Sequence, residues 1–246
     1  MPSWFMQQAS SFAPDVDNLI LLITVIVGVW FVAAEAIFFW LIWKFRARDG
    51  VKAQYVAGET PREKRWVSWP HYAVLVFDIL ILVVALRVWN DIKISAPPPE
   101  ERIRVVAQQW AWTFQHAGPD GELDTADDIR TVDDMHVEVG KTYYFDLHSR
   151  DVLHSFSVPV FRLKQDAVPG RSITGWFRPT VTGEFDIQCA EICGIGHGLM
   201  PARIIVATPD EHQAWLSAAA SGAVPAVTAG AAPGTAVVAR AEGDGQ

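Results

Sequence analysis

Between Leu19 and Trp43 the chain runs for 25 residues with only Thr24, Gly28 and Glu35 interrupting its apolar side chains. As a helix this stretch would be about 37 Å long, more than the roughly 30 Å of a bilayer's hydrocarbon core. Trp40 and Trp43 stand at its end, where amphipathic rings favour the lipid–water boundary. A second apolar run, from about His71 to Trp89, holds Asp78 inside and Arg87 near its exit. The segment between them carries Lys44, Arg46, Arg48, Lys52, Arg62, Lys64 and Arg65 against Asp49, Glu59 and Glu63. Short basic loops stay on the cytoplasmic side of a membrane. The expected arrangement is therefore a transmembrane helical hairpin whose N-terminus and whose whole C-terminal part lie outside. Residues 1–18 hold no basic residue and so lack the positive start of a secretory signal. Glu35 and Asp78 are costly at membrane depth unless they face protein or water. Two helices cannot enclose them, which implies a larger membrane partner.

Pro97, Pro98 and Pro99 make a stiff linker, within about residues 93–101. Beyond it come short segments rich in β-branched and aromatic residues: Ile103–Phe114, His136–Val139, Thr142–His148, Ser172–Arg178, Glu184–Gln188 and Ala202–Ala207. Turn residues separate them, which predicts an all-β sandwich or barrel over 102–219. Thr208-Pro209-Asp210-Glu211 is a helix start, with a capping threonine, proline at the first position and glutamate at the third. The helix should end near Ala219. Residues 220–246 are rich in Ala and Gly without period and read as a disordered tail.

The net charge of −8 is local: residues 100–211 hold 18 acidic against 10 basic side chains. Such a balance argues against nucleic acid and for a cationic partner drawn in electrostatically. GPDGELDTADDIRTVDD (Gly118–Asp134) is the most acidic part and reads as a solvated hairpin loop. Its spacing does not fit an EF-hand.

The chemistry concentrates in CAEICGIGHGLM (Cys189–Met200), which contains both cysteines of the chain, a histidine and a methionine. A second histidine, His154, stands 35 residues upstream in DVLHSFSVP. Thiolate, imidazole and thioether together favour copper over harder metals, and two thiolates four residues apart can bridge two ions. A Cys189–Cys193 disulfide needs neither the His nor the Met at fixed spacing. A zinc site prefers four strong ligands and leaves Met200 without a task.

On QCAEICGIGHGLMP (Gln188–Pro201), DVLHSFSVP (Asp151–Pro159), DAVPGR (Asp166–Arg171) and QQWAW (Gln108–Trp112) the chain resembles subunit II of the haem-copper cytochrome c oxidases, from about Leu19 to Leu216. The resemblance implies a two-helix membrane hairpin followed by a cupredoxin-like β-sandwich with a dinuclear copper (CuA) centre. Its ligands would be His154, Cys189, Cys193, His197, Met200 and the backbone carbonyl of Glu191. It further implies a magnesium ion held by the Glu191 side chain at the boundary with the catalytic subunit, and electron arrival from cytochrome c at Trp110. Glu63 would help protons into that subunit. Trp110 and Glu63 also have plain readings, as a strand aromatic and a solvated loop charge. Ala111 replaces an aromatic residue found in many members.

The implied partners are oxidase subunit I with its haems, other oxidase subunits, the membrane and a separate cytochrome c, since no CXXCH haem-attachment motif is present. The implied place is a bacterial inner membrane with the copper domain in the periplasm. A membrane-anchored copper carrier is the alternative of a different class. A quinol oxidase subunit II lacks these ligands.

Overall fold

In the computed structural model, residues 6–52 and 55–221 are described. Helix α1 spans Ala13–Lys44 and α2 spans Pro61–Trp89, the latter closing in a wider π-type turn, Asn90–Ile94. Both are long and apolar enough to cross a membrane. Each begins earlier than its apolar run. Pro14 and Asp15 sit in the first turn of α1, where a missing N–H and a negative charge are both favourable. At α2 the Thr60 hydroxyl accepts from the Glu63 N–H at 3.3 Å, while the Glu63 carboxylate accepts from the Thr60 N–H at 3.1 Å. This capping box starts the helix ten residues before His71 and carries it through Pro70.

Ten strands follow: β1 Glu101–Gln108, β2 Ala111–His116, β3 Ile129–Val132, β4 Asp134–Glu138, β5 Tyr143–Ser149, β6 His154–Val158, β7 Leu163–Ala167, β8 Ile173–Phe177, β9 Gly183–Cys189 and β10 Ala202–Ala207. They form two five-stranded sheets, ordered β3-β2-β1-β5-β8 and β4-β10-β9-β6-β7. The segment expected as one strand over Ile103–Phe114 is folded back at Gln109–Trp110 into the antiparallel pair β1 and β2, with Gln108 opposite Ala111. Alternate residues of β1, Ile103, Val105 and Ala107, enter the core. There they meet Trp112, Phe114, Tyr143, Phe145, Phe156 and Phe177, all excluded from solvent. Three strands do not stand out in the sequence: β3, whose Ile129, Thr131 and Val132 lie inside the stretch read as a solvated acidic loop, and the short, polar β6 and β7.

Helix α3, Pro209–Ala220, opens with the expected capping box from Thr208 and Glu211. Its Trp215 stacks on His136 with centroids 4.2 Å apart and meets His116 edge-on at 5.1 Å. His116 and His212 are buried there. The tail expected beyond 220 lies, from residue 222 onward, outside the described residues.

The hairpin is fastened to the sandwich at both outer ends. Asp17, fully buried, receives the Arg162 guanidinium through Nε at 2.7 Å and Nη2 at 2.8 Å. Ala9 N–H donates to Val160 O, and Thr180 N–H donates to Ala9 O, each at 2.9 Å. The Trp176 indole donates to Ile92 O at 2.7 Å and meets Phe12 edge-on at 5.2 Å. Residues 6–12 therefore sit on the same side of the hairpin as the sandwich.

Candidate metal centre

Strands β6 and β9 are antiparallel neighbours, with Phe156 opposite Cys189. That pairing sets His154, at the start of β6, beside Cys189, at the end of β9, across 35 residues of sequence. From Cys189 the chain turns through Glu191, Cys193 and His197 and enters β10 just after Met200.

The donor atoms gather around the two sulfurs. His154 Nδ1 lies 3.9 Å from Cys189 Sγ, the two Sγ atoms are 3.9 Å apart, and Cys193 Sγ is 3.6 Å from His197 Nδ1. Met200 Sδ is 3.3 Å from Cys193 Sγ, and the Glu191 carbonyl oxygen is 3.3 Å from Cys189 Sγ. Both cysteines are free thiols, well beyond the 2.05 Å or so of a disulfide bond. His154, Cys189 and Cys193 offer ligand atoms all within 4.8 Å of one another. His154, Cys193 and Met200 are buried; Cys189 and His197 are half-buried.

Burial, together with the neighbouring Cys189, pushes the Cys193 thiol up to about 11. Two thiolates this close repel, and the dry loop opposes either charge. A cation between them removes both penalties, so the donor set fits a soft metal that displaces the thiol protons.

The imidazole of His154 is oriented from behind. Its Nε2 donates to Asp151 Oδ1 at 2.8 Å, which leaves Nδ1 as the free donor atom facing the sulfurs. Asp151 also accepts from the N–H of Gln109 at 2.6 Å and of Val152 at 2.7 Å. Burial alone would raise the Asp151 pKa, but the bonds from Gln109, His154 and Val152 outweigh it and hold the carboxyl below its usual range. Sequence reasoning required an acceptor for this ring and did not identify it. The signal was its position three residues before His154, in the same DVLH motif.

Two tryptophans frame the loop differently. Trp112 is fully buried, donates from its indole to Met200 O at 3.2 Å, and meets the His154 ring edge-on at 6.2 Å. Trp110 is 38% exposed, enough to present its ring at the surface. It lies against the backbone of the Cys193–His197 segment, where a Cβ at Gly196 would run into the indole. Gly194 (φ +121°) adopts a backbone angle that side chains avoid, and Gln109 Nε2 donates to Cys193 O at 2.7 Å. Ile192, Ile195 and Leu199 project from the same loop and are largely exposed.

Two expected residues stand apart from this cluster. Glu63 lies at the far end of α2, occupied in the capping box described above. The Glu191 side chain is half-buried at the loop surface.

A family model described as cytochrome C oxidase subunit II, periplasmic domain, matches residues 102–208. The alternative cytochrome c oxidase subunit 2 of Bradyrhizobium diazoefficiens is 31% identical over 238 residues, covering 87% of this chain and 83% of that protein. Cytochrome c oxidase subunit 2 of Cereibacter sphaeroides is 29% identical over 251 residues, covering 89% and 80%. Among solved structures, the periplasmic domain of subunit II of cytochrome oxidase of Bradyrhizobium japonicum aligns with a TM-score of 0.46 at 29% identity, covering 52% of this chain and 99% of that one. The family match covers the strands and the loop that gather the sulfur and imidazole donors, and the relatives match most of the chain: it belongs to the cytochrome c oxidase subunit II family.

Proposed function

We propose that this chain is the subunit at which electrons enter a respiratory terminal oxidase. It takes single electrons from a reduced cytochrome c and passes them to haem in the catalytic subunit I, where O2 is reduced to water and protons are translocated. The observation that carries the reading is a pair of thiols 3.9 Å apart with an imidazole nitrogen beside each, His154 Nδ1 3.9 Å from Cys189 Sγ and His197 Nδ1 3.6 Å from Cys193 Sγ. A single tetrahedral ion would need both imidazoles on one centre. An imidazole beside each thiol favours a site for two ions, which counts against a carrier of one ion.

His154, Cys189, Cys193 and His197 would hold that dinuclear copper centre, with Met200 and the Glu191 carbonyl as weak ligands. When bound, the copper pair supplies a one-electron store whose potential depends on the weak ligands and on the dryness of its surroundings. The chain's own residues do the rest. Asp151 keeps His154 in one tautomer, Trp112 anchors Met200 from the core, and the buried side of the loop excludes water. Trp110 presents an aromatic surface to the incoming cytochrome at van der Waals distance from the loop, inside a rim of exposed apolar residues. The acidic balance of the sandwich steers a basic donor towards it.

In the same reading the Glu191 carboxylate holds magnesium at the boundary with subunit I, and Glu63 marks where protons enter from the cytoplasmic side. The sandwich and the N-terminus lie in the periplasm of a bacterial inner membrane.

The test uses the full chain, purified and loaded with copper. Two coppers per chain and a paramagnetic resonance spectrum of one electron shared by two nuclei are expected, both lost in Cys189→Ser and in Cys193→Ser. One copper per chain with a localised spectrum would overturn the reading.

A further inference from the structure

Where the outer ends of α1 and α2 meet the sandwich there is a notch of about 270 Å³. Its lower wall is apolar and belongs to the helices, with Leu19 from α1 and Ala85 and Val88 from α2. Its upper rim is cationic, with Lys93 from the turn after α2 and Lys164 from β7. Arg162 also reaches the notch, but its charge is taken up by Asp17. Among the described residues neither Lys93 nor Lys164 forms an ion pair, and both are exposed. Trp89, about half exposed, lines the same notch at the end of α2, and indoles collect at membrane surfaces. The Trp176 indole holds Ile92 O, so the turn that carries Lys93 is pinned to the sheet.

Each half of this notch would be anomalous alone. A purely apolar cleft would suit a helix of another subunit, but such a helix would bring nothing to two lysines. A zwitterionic headgroup brings no net charge to them. We propose that the notch binds an anionic phospholipid of the leaflet on the sandwich side, with its phosphodiester between Lys93 and Lys164 and its acyl chains descending along Leu19, Ala85 and Val88. Lysines at a membrane surface attract anionic lipid, and both of these line one notch with the apolar residues of the helices. The lipid then fills the space between hairpin and sandwich and stiffens the joint that sets the metal loop over the membrane. The inference requires that the hairpin span a bilayer; it does not depend on the metal.

The test is native mass spectrometry of the assembled oxidase, delipidated in detergent and titrated in parallel with phosphatidylglycerol and phosphatidylcholine. The intact oxidase should retain phosphatidylglycerol preferentially. In Lys93→Gln/Lys164→Gln retention should fall by about thirtyfold, roughly the worth of two lysines at a membrane surface. Lys93→Arg/Lys164→Arg should keep it, which separates loss of charge from misfolding. Equal retention of both lipids by the intact oxidase would overturn the proposal, as would unchanged phosphatidylglycerol retention in the glutamine variant. Chemical cross-linking of Lys93 and Lys164 to another oxidase subunit with no lipid retained would overturn it too, making the notch a protein interface.

Discussion

Asp151 and His154 are joined by a 2.8 Å hydrogen bond, and the same carboxylate also holds the backbone of the Gln109–Trp110 turn. The ligand ring and the turn that carries the exposed tryptophan thus share one anchor. In Asp151→Asn the amide can still touch the ring but no longer favours a proton on Nε2. Copper affinity is expected to fall about 10- to 100-fold, the usual cost of losing such an orienting acceptor. A competition titration against a copper chelator reads this directly, and unchanged affinity would remove Asp151 from the site.

Gly196→Ala places a methyl group where the Trp110 ring lies. The ring is displaced, at an overpacking cost of about 1–3 kcal/mol, and the loop melts at lower temperature. Trp110→Ala leaves the loop's own backbone bonds in place. It is expected to keep the copper spectrum and to slow electron uptake from reduced cytochrome c by about tenfold or more, roughly 1.4 kcal/mol in barrier. Stopped-flow reduction distinguishes the two, and a wild-type rate in Trp110→Ala would remove the indole from the electron path.

The histidines under α3 predict an acid sensitivity that has nothing to do with metal. Burial pushes His116 down to about 3. It pushes His136 down to about 4, against the pull of Asp134. Both are neutral in the folded chain at pH values where an unfolded histidine, near 6.5, already binds a proton. Their stabilisation is therefore complete above about pH 6.5 and is lost as the pH falls towards 4. By pH 5.5 the two together should cost about 3 kcal/mol. Thermal melting of the full chain between pH 7.5 and 5.5 checks the slope, which His136→Gln should reduce.

Asp17→Ala would leave the Arg162 guanidinium without a counter-charge, held only by the carbonyls of Met6, Gln7 and Pro159 beside a buried gap. Breaking one partner of a buried pair costs about 3–5 kcal/mol, and here that cost falls on the joint between α1 and the sandwich. Hydrogen exchange at residues 6–18 should accelerate strongly while the strands of the sandwich keep their protection. Uniform acceleration would mean that the joint is part of the sandwich core.

What could be read from the sequence divides by the range of the interaction. Thr208 and Glu211 announce α3 because a capping box is local. The same grammar at Thr60, Pro61 and Glu63 starts α2, ten residues before the apolar run His71–Trp89 begins. The donor side chains were legible in Cys189–Met200 because the loop is short. Its order in space depended on the β6–β9 pairing, which no local pattern encodes, and β6 itself, HSFSV, is too short and polar to announce a strand. Asp151 stood in plain view in the motif, but its role exists only once Gln109 is folded against it. The division of labour between Trp110 and Trp112 was open in the sequence. It is set by the turn that sends one ring outward and the other into the core.

The contacts of residues 6–12 with Val160, Phe161 and Arg178 impose an order on biosynthesis. These residues are made before either helix, and their partners emerge more than 140 residues later, after both helices. The sandwich can close on them only if the N-terminal segment has already crossed to the side where the strands will arrive. A chain inserted with its first helix reversed would leave that segment on the wrong face and Arg162 without its carboxylate. Topology is thus proofread by folding: only a correctly threaded hairpin can complete the domain that holds the metal loop.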